Sequence, residues 1–172
     1  MILVDPISSI LTLTFADLPS AEEKSLNIPS RYKGLKWTTI AYMHRSFATK
    51  KYSKTGYASA FTKGGSPHVA FFKEKTTISA ELSSEPFTVV SLDACGAWRN
   101  DLQLTIKGYR NSVVTGTQTA TLIFGKSQPI ILQWDNIDKI ILESAGGTPN
   151  SECPQSTSPH VVLTKLVIKQ MH

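Results

Sequence analysis

Trp98-Arg99-Asn100-Asp101 places an aromatic plane directly before a guanidinium, an amide and a carboxylate. A ring on which a sugar can stack, with planar polar groups beside it to bond hydroxyls, is the combination that carbohydrate recognition uses. A tryptophan at a strand end also serves as a cap on the core, and both uses stay open. Tyr42 and His44, at the end of an expected strand over residues 36–44, join these four as candidate ligand-binding residues.

A second constellation is electrostatic. Between Arg31 and Lys75 lie ten of the chain's eighteen Lys and Arg residues, against a single acid, Glu74. Lys50, Lys51, Lys54 and Lys63 form its centre, interleaved with Tyr52 and Tyr57, and Tyr32, Trp37 and Tyr42 precede them. Such a patch attracts anionic polymers: a charged glycan, an acidic membrane surface or a nucleic acid. Lysines that only solvate a long loop give the same pattern. Nucleic acid is the weakest of these readings, because no RNP, KH or helix-turn-helix signature is present.

Catalytic and metal chemistry find less support. His44, His68, His160 and His172 do not fall at metal-ligand spacings, so no metal site and no cofactor is implied. His68 and His160 each follow a proline at a strand start and are expected on the surface at sheet ends. There is no G-x-S-x-G elbow, and the spacing of Glu81, Glu85, Asp93, Asp135, Asp138 and Glu143 singles out no glycosidase pair. An enzyme is therefore unsupported by pattern. Cys95 and Cys153 either bridge, closing a loop of about 59 residues worth roughly 4 kcal/mol in the chain-entropy model, or leave Cys95 as a buried thiol in an apolar run.

The elements that must carry these residues read as strands. On one arm of a hairpin joined at Arg110-Asn111-Ser112, Leu102, Leu104 and Ile106 alternate with Gln103, Thr105 and Lys107. On the other, Ala120, Leu122 and Phe124 alternate with Thr117, Thr119 and Thr121. A period of two with β-branched residues on one face is the mark of a half-buried strand. Further strands are expected near residues 10–15, 36–44, 68–72, 76–82, 87–92, 129–134, 139–143 and 160–169. One helical turn is expected at Ser20–Lys24, and long loops at 45–66 and 144–159. About ten strands with no helical period, at spacings near those of sandwich and jelly-roll proteins, predict an all-β protein, an antiparallel β-sandwich with the first strand beside the last.

The chain has 172 residues, expected to form one domain over 1–172, and carries a formal net charge of +5. Only 18% of residues are charged while Ser and Thr abound, a composition of many extracellular β-proteins. No run reaches the ~18 apolar residues of a membrane span. The first fifteen residues lack a basic n-region and a cleavage site, so they read as a strand of a mature form or of one expressed without its leader.

Leu13-Thr14-Phe15-Ala16-Asp17-Leu18-Pro19, Ile28-Pro29-Ser30-Arg31-Tyr32-Lys33-Gly34-Leu35-Lys36-Trp37, Gly56-Tyr57 and Val69-Ala70-Phe71 together resemble a family of secreted fungal and bacterial domains. Its members carry F-D-D-L-P, I-P-x-x-Y-x-G-L-x-W and S-G-Y motifs and a closing D-N-L. Ala97-Trp98, residues 102–108, Ile137-Asp138 and residues 144–148 extend the likeness along the chain. The resemblance implies a galactose-binding-like jelly roll, the fold of many carbohydrate-binding modules. Related jelly rolls hold a structural Ca²⁺ on acidic oxygens where the first and last strands meet. Here the doubled acid is Ala16-Asp17 and the closing pair is Thr164-Lys165, so no such site is expected and Asp17 reads as a turn residue.

The function expected from these residues is a secreted, extracellular, non-enzymatic lectin-like module for carbohydrate, including acidic or cell-wall polysaccharide. The alternative is a secreted fungal effector or surface protein acting through contacts with a host protein. A glycan-active hydrolase ranks third.

Overall fold

The computed structural model describes residues 7–156 and 158–171. In chain order its strands are β1 (Ser8–Leu13), β2 (Leu26–Asn27), β3 (Arg31–Tyr32), β4 (Leu35–Thr38) and β5 (Ala41–His44). Two short helices follow, α1 (Arg45–Lys51) and α2 (Gly56–Ser59), then β6 (His68–Lys73), β7 (Lys75–Ala80), β8 (Phe87–Gly96) and β9 (Arg99–Asn100). The chain closes through β10 (Leu102–Arg110), β11 (Val113–Leu122), β12 (Gln128–Ile137), β13 (Lys139–Ala145), β14 (Thr148–Pro149) and β15 (His160–Met171).

These strands build an antiparallel β-sandwich. One sheet runs β12-β8-β15-β6-β5-β2, with β1 also paired to β15; the other runs β11-β10-β13-β7-β4-β3. The chain alternates between the two, the winding of a jelly roll, and the first strand lies on the last, Leu13 opposite Leu166. The central hairpin pairs Leu102 with Leu122 and Ile106 with Gln118. It turns at Asn111 and Ser112, whose φ values of 49° and 66° are those of a type I′ turn. Gly108 and Gly116 sit opposite each other, and a Cβ on Gly116 would come 2.8 Å from Trp134 Cε2. The two glycines are the slot into which that indole packs.

The main core lies between the sheets, where Leu102, Leu104, Ile106, Val89, Leu92, Leu163 and Leu166 are fully buried. Each such side chain contributes roughly 1.5–3 kcal/mol. A second, smaller cluster covers the outer face of the first sheet: Met43, Val69, Cys95 and Val162 from its strands meet Phe47 and Ala48 of α1 and Tyr57 of α2. β15 is thus buried on both faces over part of its length, which is why its apolar residues do not alternate cleanly.

Several expectations are corrected here. Residues 45–66 are not one loop, because α1 and α2 form there to cover the second cluster. Residues 36–44 are not one strand: Thr39, at φ 59°, breaks the run so that β4 and β5 join different sheets. Residues 22–24 form bends instead of a helical turn. The 144–159 loop contains β14, which pairs with β9. No helix among the described residues is long and apolar enough to cross a membrane.

Candidate functional site

Trp98 stands between the end of β8 and β9, half-buried, with its ring meeting Tyr52 and Tyr57 edge-on at 5.9 and 5.6 Å. Its indole N–H donates to His160 Nδ1 at 3.3 Å, and Tyr57 OH bonds the same nitrogen. An indole nitrogen only donates, so His160 Nδ1 accepts and the imidazole proton sits on Nε2. His160 is therefore a half-buried strut under Trp98, where sequence pattern placed it on the surface. His68, likewise expected outside, is 2% exposed and bonds the Phe15 carbonyl at 2.8 Å through Nδ1.

Above Trp98 opens a cleft of about 570 Å³. One wall is Lys51, Tyr52, Ser53, Lys54 and Thr55, the turn between α1 and α2; the other is residues 152–156. Two of the four central lysines thus meet the candidate stacking ring in one depression, opposite the carboxylate of Glu152. Lys51 Nζ lies 5.7 Å from the Phe47 ring centre and 6.0 Å from that of Tyr52, so its stem lies along aromatic surface near the opening. Lys50 and Lys63 are exposed elsewhere and do not line the cleft.

Arg99 and Asn100 act from behind the cleft. Arg99 donates to the carbonyls of Gly146 and Gly147 at 2.8 and 2.7 Å, and Asn100 Oδ1 accepts from Asn150 Nδ2 at 2.7 Å. Asn150 N–H in turn donates to the Trp98 carbonyl at 3.0 Å. These bonds fix the loop whose next residues form the far wall. Asp101, at φ 53°, is an exposed turn residue leading into β10. Tyr42 is 2% exposed with its hydroxyl donating to Pro19 O, so it belongs to the core. His44 is the N-cap of α1, accepting from Ser46 N–H at 3.1 Å through Nδ1. Sequence pattern placed Tyr52 within the basic region but did not single out residues 152–156 as a cleft wall.

Both cysteines are free thiols in this structure, the second of the two readings left open by the sequence. Cys95 points into the second cluster, where burial pushes its pKa up to about 12. Cys153 lies across the chain of Trp98, its Sγ 3.5 Å from that residue's carbonyl oxygen. The loop needs no disulfide because Asn150 and Arg99 already tether it.

The carboxylates serve local structure. Asp138 pairs with Arg110 and accepts from Asn111 N–H, Asp93 pairs with Lys165 at 3.5 Å, and Asp135 accepts from Thr88. Asp17 lies in a turn, bonded to Tyr32 OH and 2.6 Å from Lys33 Nζ; that ammonium holds its pKa below the usual carboxylate value. Among the described residues, no group of three or more His, Cys, Asp or Glu is placed to hold a metal.

Burial lowers the pKa of both His160 and His68, with Lys73 adding to the effect at His160. Each contributes stability that is present above the unfolded-state value of about 6.5 and is lost as pH falls through that value toward the folded one. The thermal midpoint should decline between about pH 7 and pH 5.5, where most carboxylates remain charged. His160→Gln, whose amide oxygen can still accept, should flatten part of that decline. A midpoint independent of pH across this window contradicts neutral imidazoles at these two positions.

No family model matches the chain, and no curated protein matches it. The family likeness read from the motifs therefore gains no support from sequence comparison. Among solved structures, the carbohydrate-binding module TmCBM61, in complex with β-1,4-galactotriose, aligns over 84% of this chain and 92% of its own. The identity is 8% and the TM-score 0.35.

Proposed function

We propose that this protein is a secreted carbohydrate-binding module whose ligand is an acidic glycan held in the Trp98 cleft. The single observation that carries the proposal is the convergence of Trp98, Lys51 and Lys54 on one opening of about 570 Å³. A sugar ring stacks on the indole, Lys51 and Lys54 pair with its carboxylate or sulfate, and Ser53, Gln155 and Glu152 bond hydroxyls. Secretion is proposed from composition: few charged residues and abundant Ser and Thr.

A glycan array spanning neutral, uronate-bearing and sulfated oligosaccharides, read at low salt, tests the reading. Retention of acidic glycans supports it; binding of none overturns it. The lysines give a sharper check. Lys51→Ser combined with Lys54→Ser should weaken binding of oligogalacturonate by about tenfold or more while leaving the thermal midpoint nearly unchanged, since exposed charges add little to folding. Lys50→Ser with Lys63→Ser should change neither. Equal losses from the two pairs would mean diffuse attraction to a basic surface, not a site.

A further inference from the structure

We propose that the free edge of β11 pairs with β11 of a second copy of this chain, antiparallel about a two-fold axis at Gln118. β11 ends its sheet, and among the described residues β10 is its one paired strand. An edge strand presents a row of backbone N–H and C=O groups to any strand that fits, and proteins ordinarily block it with charge, proline, bulges or shortness. The other sheet's edge strand β12 is blocked in this way: Pro129 stands near its start, and its register shifts twice, with positive φ at Gln133 and Asn136. The strands β2 and β3 at the opposite ends have two residues each. β11 runs for ten residues, Val113–Leu122, without a charge or a proline. Its one irregularity is near the hairpin end, where the register shift between Gly108 and Tyr109 leaves Thr115 without an opposite number.

The occupant is written in the strand itself. Thr115-Gly116-Thr117-Gln118-Thr119-Ala120-Thr121 reads almost the same in both directions about Gln118. Antiparallel pairing on that centre sets Thr117 against Thr119 of the second copy and Thr115 against Thr121. Both are favourable cross-strand pairs on one face of the sheet. On the other face Gly116 meets Ala120, so two small residues share the crowded side. The contact is isologous and closes as a dimer.

Apolar surface lies where such a partner would cover it. A groove of about 320 Å³ separates β11 from β12, lined by Ala120, Leu122 and Ile130 and rimmed by Ile123 and Ile131, the last 58% exposed. Val113 and Val114, 64% and 48% exposed, stand at the opposite end of β11 from Ile123, and the two-fold brings the two ends together. The chain carries a net +5, so an uncharged strand is also where two copies approach with least repulsion.

Cross-linking reads both the pairing and its register. Gln118→Cys, in a Cys153→Ser background, should form an intermolecular disulfide under mild oxidation, because directly opposed residues of an antiparallel pair have Cα atoms about 4.5–5.5 Å apart. Thr115→Cys in the same background should not, since its two copies would lie six residues apart, roughly 20 Å. Mixing Thr115→Cys with Thr121→Cys should yield the mixed dimer. Sedimentation of the unmodified chain should show a dimer growing with concentration, and Gln118→Lys should weaken it by about tenfold by setting like charges side by side, with an unaltered circular dichroism spectrum. A chain that stays monomeric up to its solubility limit, equal cross-linking at 115 and 118, or capture of a strand from another protein without self-association would each overturn the proposal.

Discussion

Replacing Gly56 by alanine is expected to destabilise the protein by about 3 kcal/mol, the upper part of the range for forced overpacking, and to lower its thermal midpoint by roughly 10 °C for a chain of this size. The first turn of α2 lies directly on the backbone that ends β8: Gly56 N–H donates to Ala97 O at 2.7 Å. A Cβ at Gly56 would overlap the Gly96 carbonyl oxygen and come 2.9 Å from Ala97 Cα. Neither group can give way easily. Gly96 N–H donates to Ile123 O and its carbonyl accepts from Gly125 N–H, both at 3.0 Å. The strain would instead lift α2 and withdraw Tyr57 from His160, loosening the support under Trp98. Gly64→Ala is the control: nothing lies within 4 Å of its added methyl, and the cost is the positive φ alone, about 1 kcal/mol. Urea and thermal melts of the two variants decide it, and a Gly56→Ala protein as stable as the parent would show that α2 does not sit on β8.

Trp98→Ala should cut affinity for oligogalacturonate about 100-fold, or roughly 3 kcal/mol, as expected of an aromatic anchor at the centre of a site. The same change removes a ring packed on Tyr52 and Tyr57 and an N–H bonded to His160, so it should lower stability as well. Trp98→Phe separates the two effects. It keeps an aromatic plane but loses the hydrogen bond, so binding should fall by only about tenfold. Titration calorimetry of both variants alongside melting curves is the check. An alanine variant that is less stable but binds as the parent does would make Trp98 a core cap and nothing more.

The parts of this fold that sequence pattern made legible are those where one strand face meets the core and the other meets water. The hairpin of β10 and β11 is such a place, and Leu102, Leu104 and Ile106 are buried with Gln103, Thr105 and Lys107 between them. Where the first sheet is buried on both faces the alternation disappears, as in β15 around Val161, Val162 and Leu163. α1 offered no helical period because seven residues hold little more than its buried pair, Phe47 and Ala48. Tyr42, His68 and His160 are polar residues drawn inward by bonds to distant groups: Pro19 O for Tyr42, Phe15 O for His68, and Tyr57 OH with the Trp98 indole for His160. No local spacing encodes such partners. Gly56-Tyr57 carried the one signal that could have revealed the strut under Trp98, a glycine for close backbone approach followed by a ring reaching the last strand.

The candidate site was legible in pieces. Trp98 stood out by its polar neighbours, yet Arg99 and Asn100 hold the 144–156 loop instead of lining the cleft. Lys51 and Lys54 stood out by charge, yet only packing of the α1–α2 segment against the end of β8 brings them to the tryptophan. Lys50, adjacent in sequence, is turned away from the cleft by the helical geometry of α1.

The most direct test of the acidic-glycan cleft is a titration of ¹⁵N-labelled protein with oligogalacturonate, following the three indole N–H resonances of Trp37, Trp98 and Trp134. Trp37 Nε1 is bonded to Tyr32 O inside the core, and Trp134 lies in the Gly108–Gly116 slot, far from the cleft lining. The indole resonance of Trp98 should shift progressively and saturably, together with the backbone amides of residues 51–55 and 152–156, while the other two stay fixed. A saturable response that spares Trp98, or none at all at low salt, contradicts the assignment of this cleft as the glycan site.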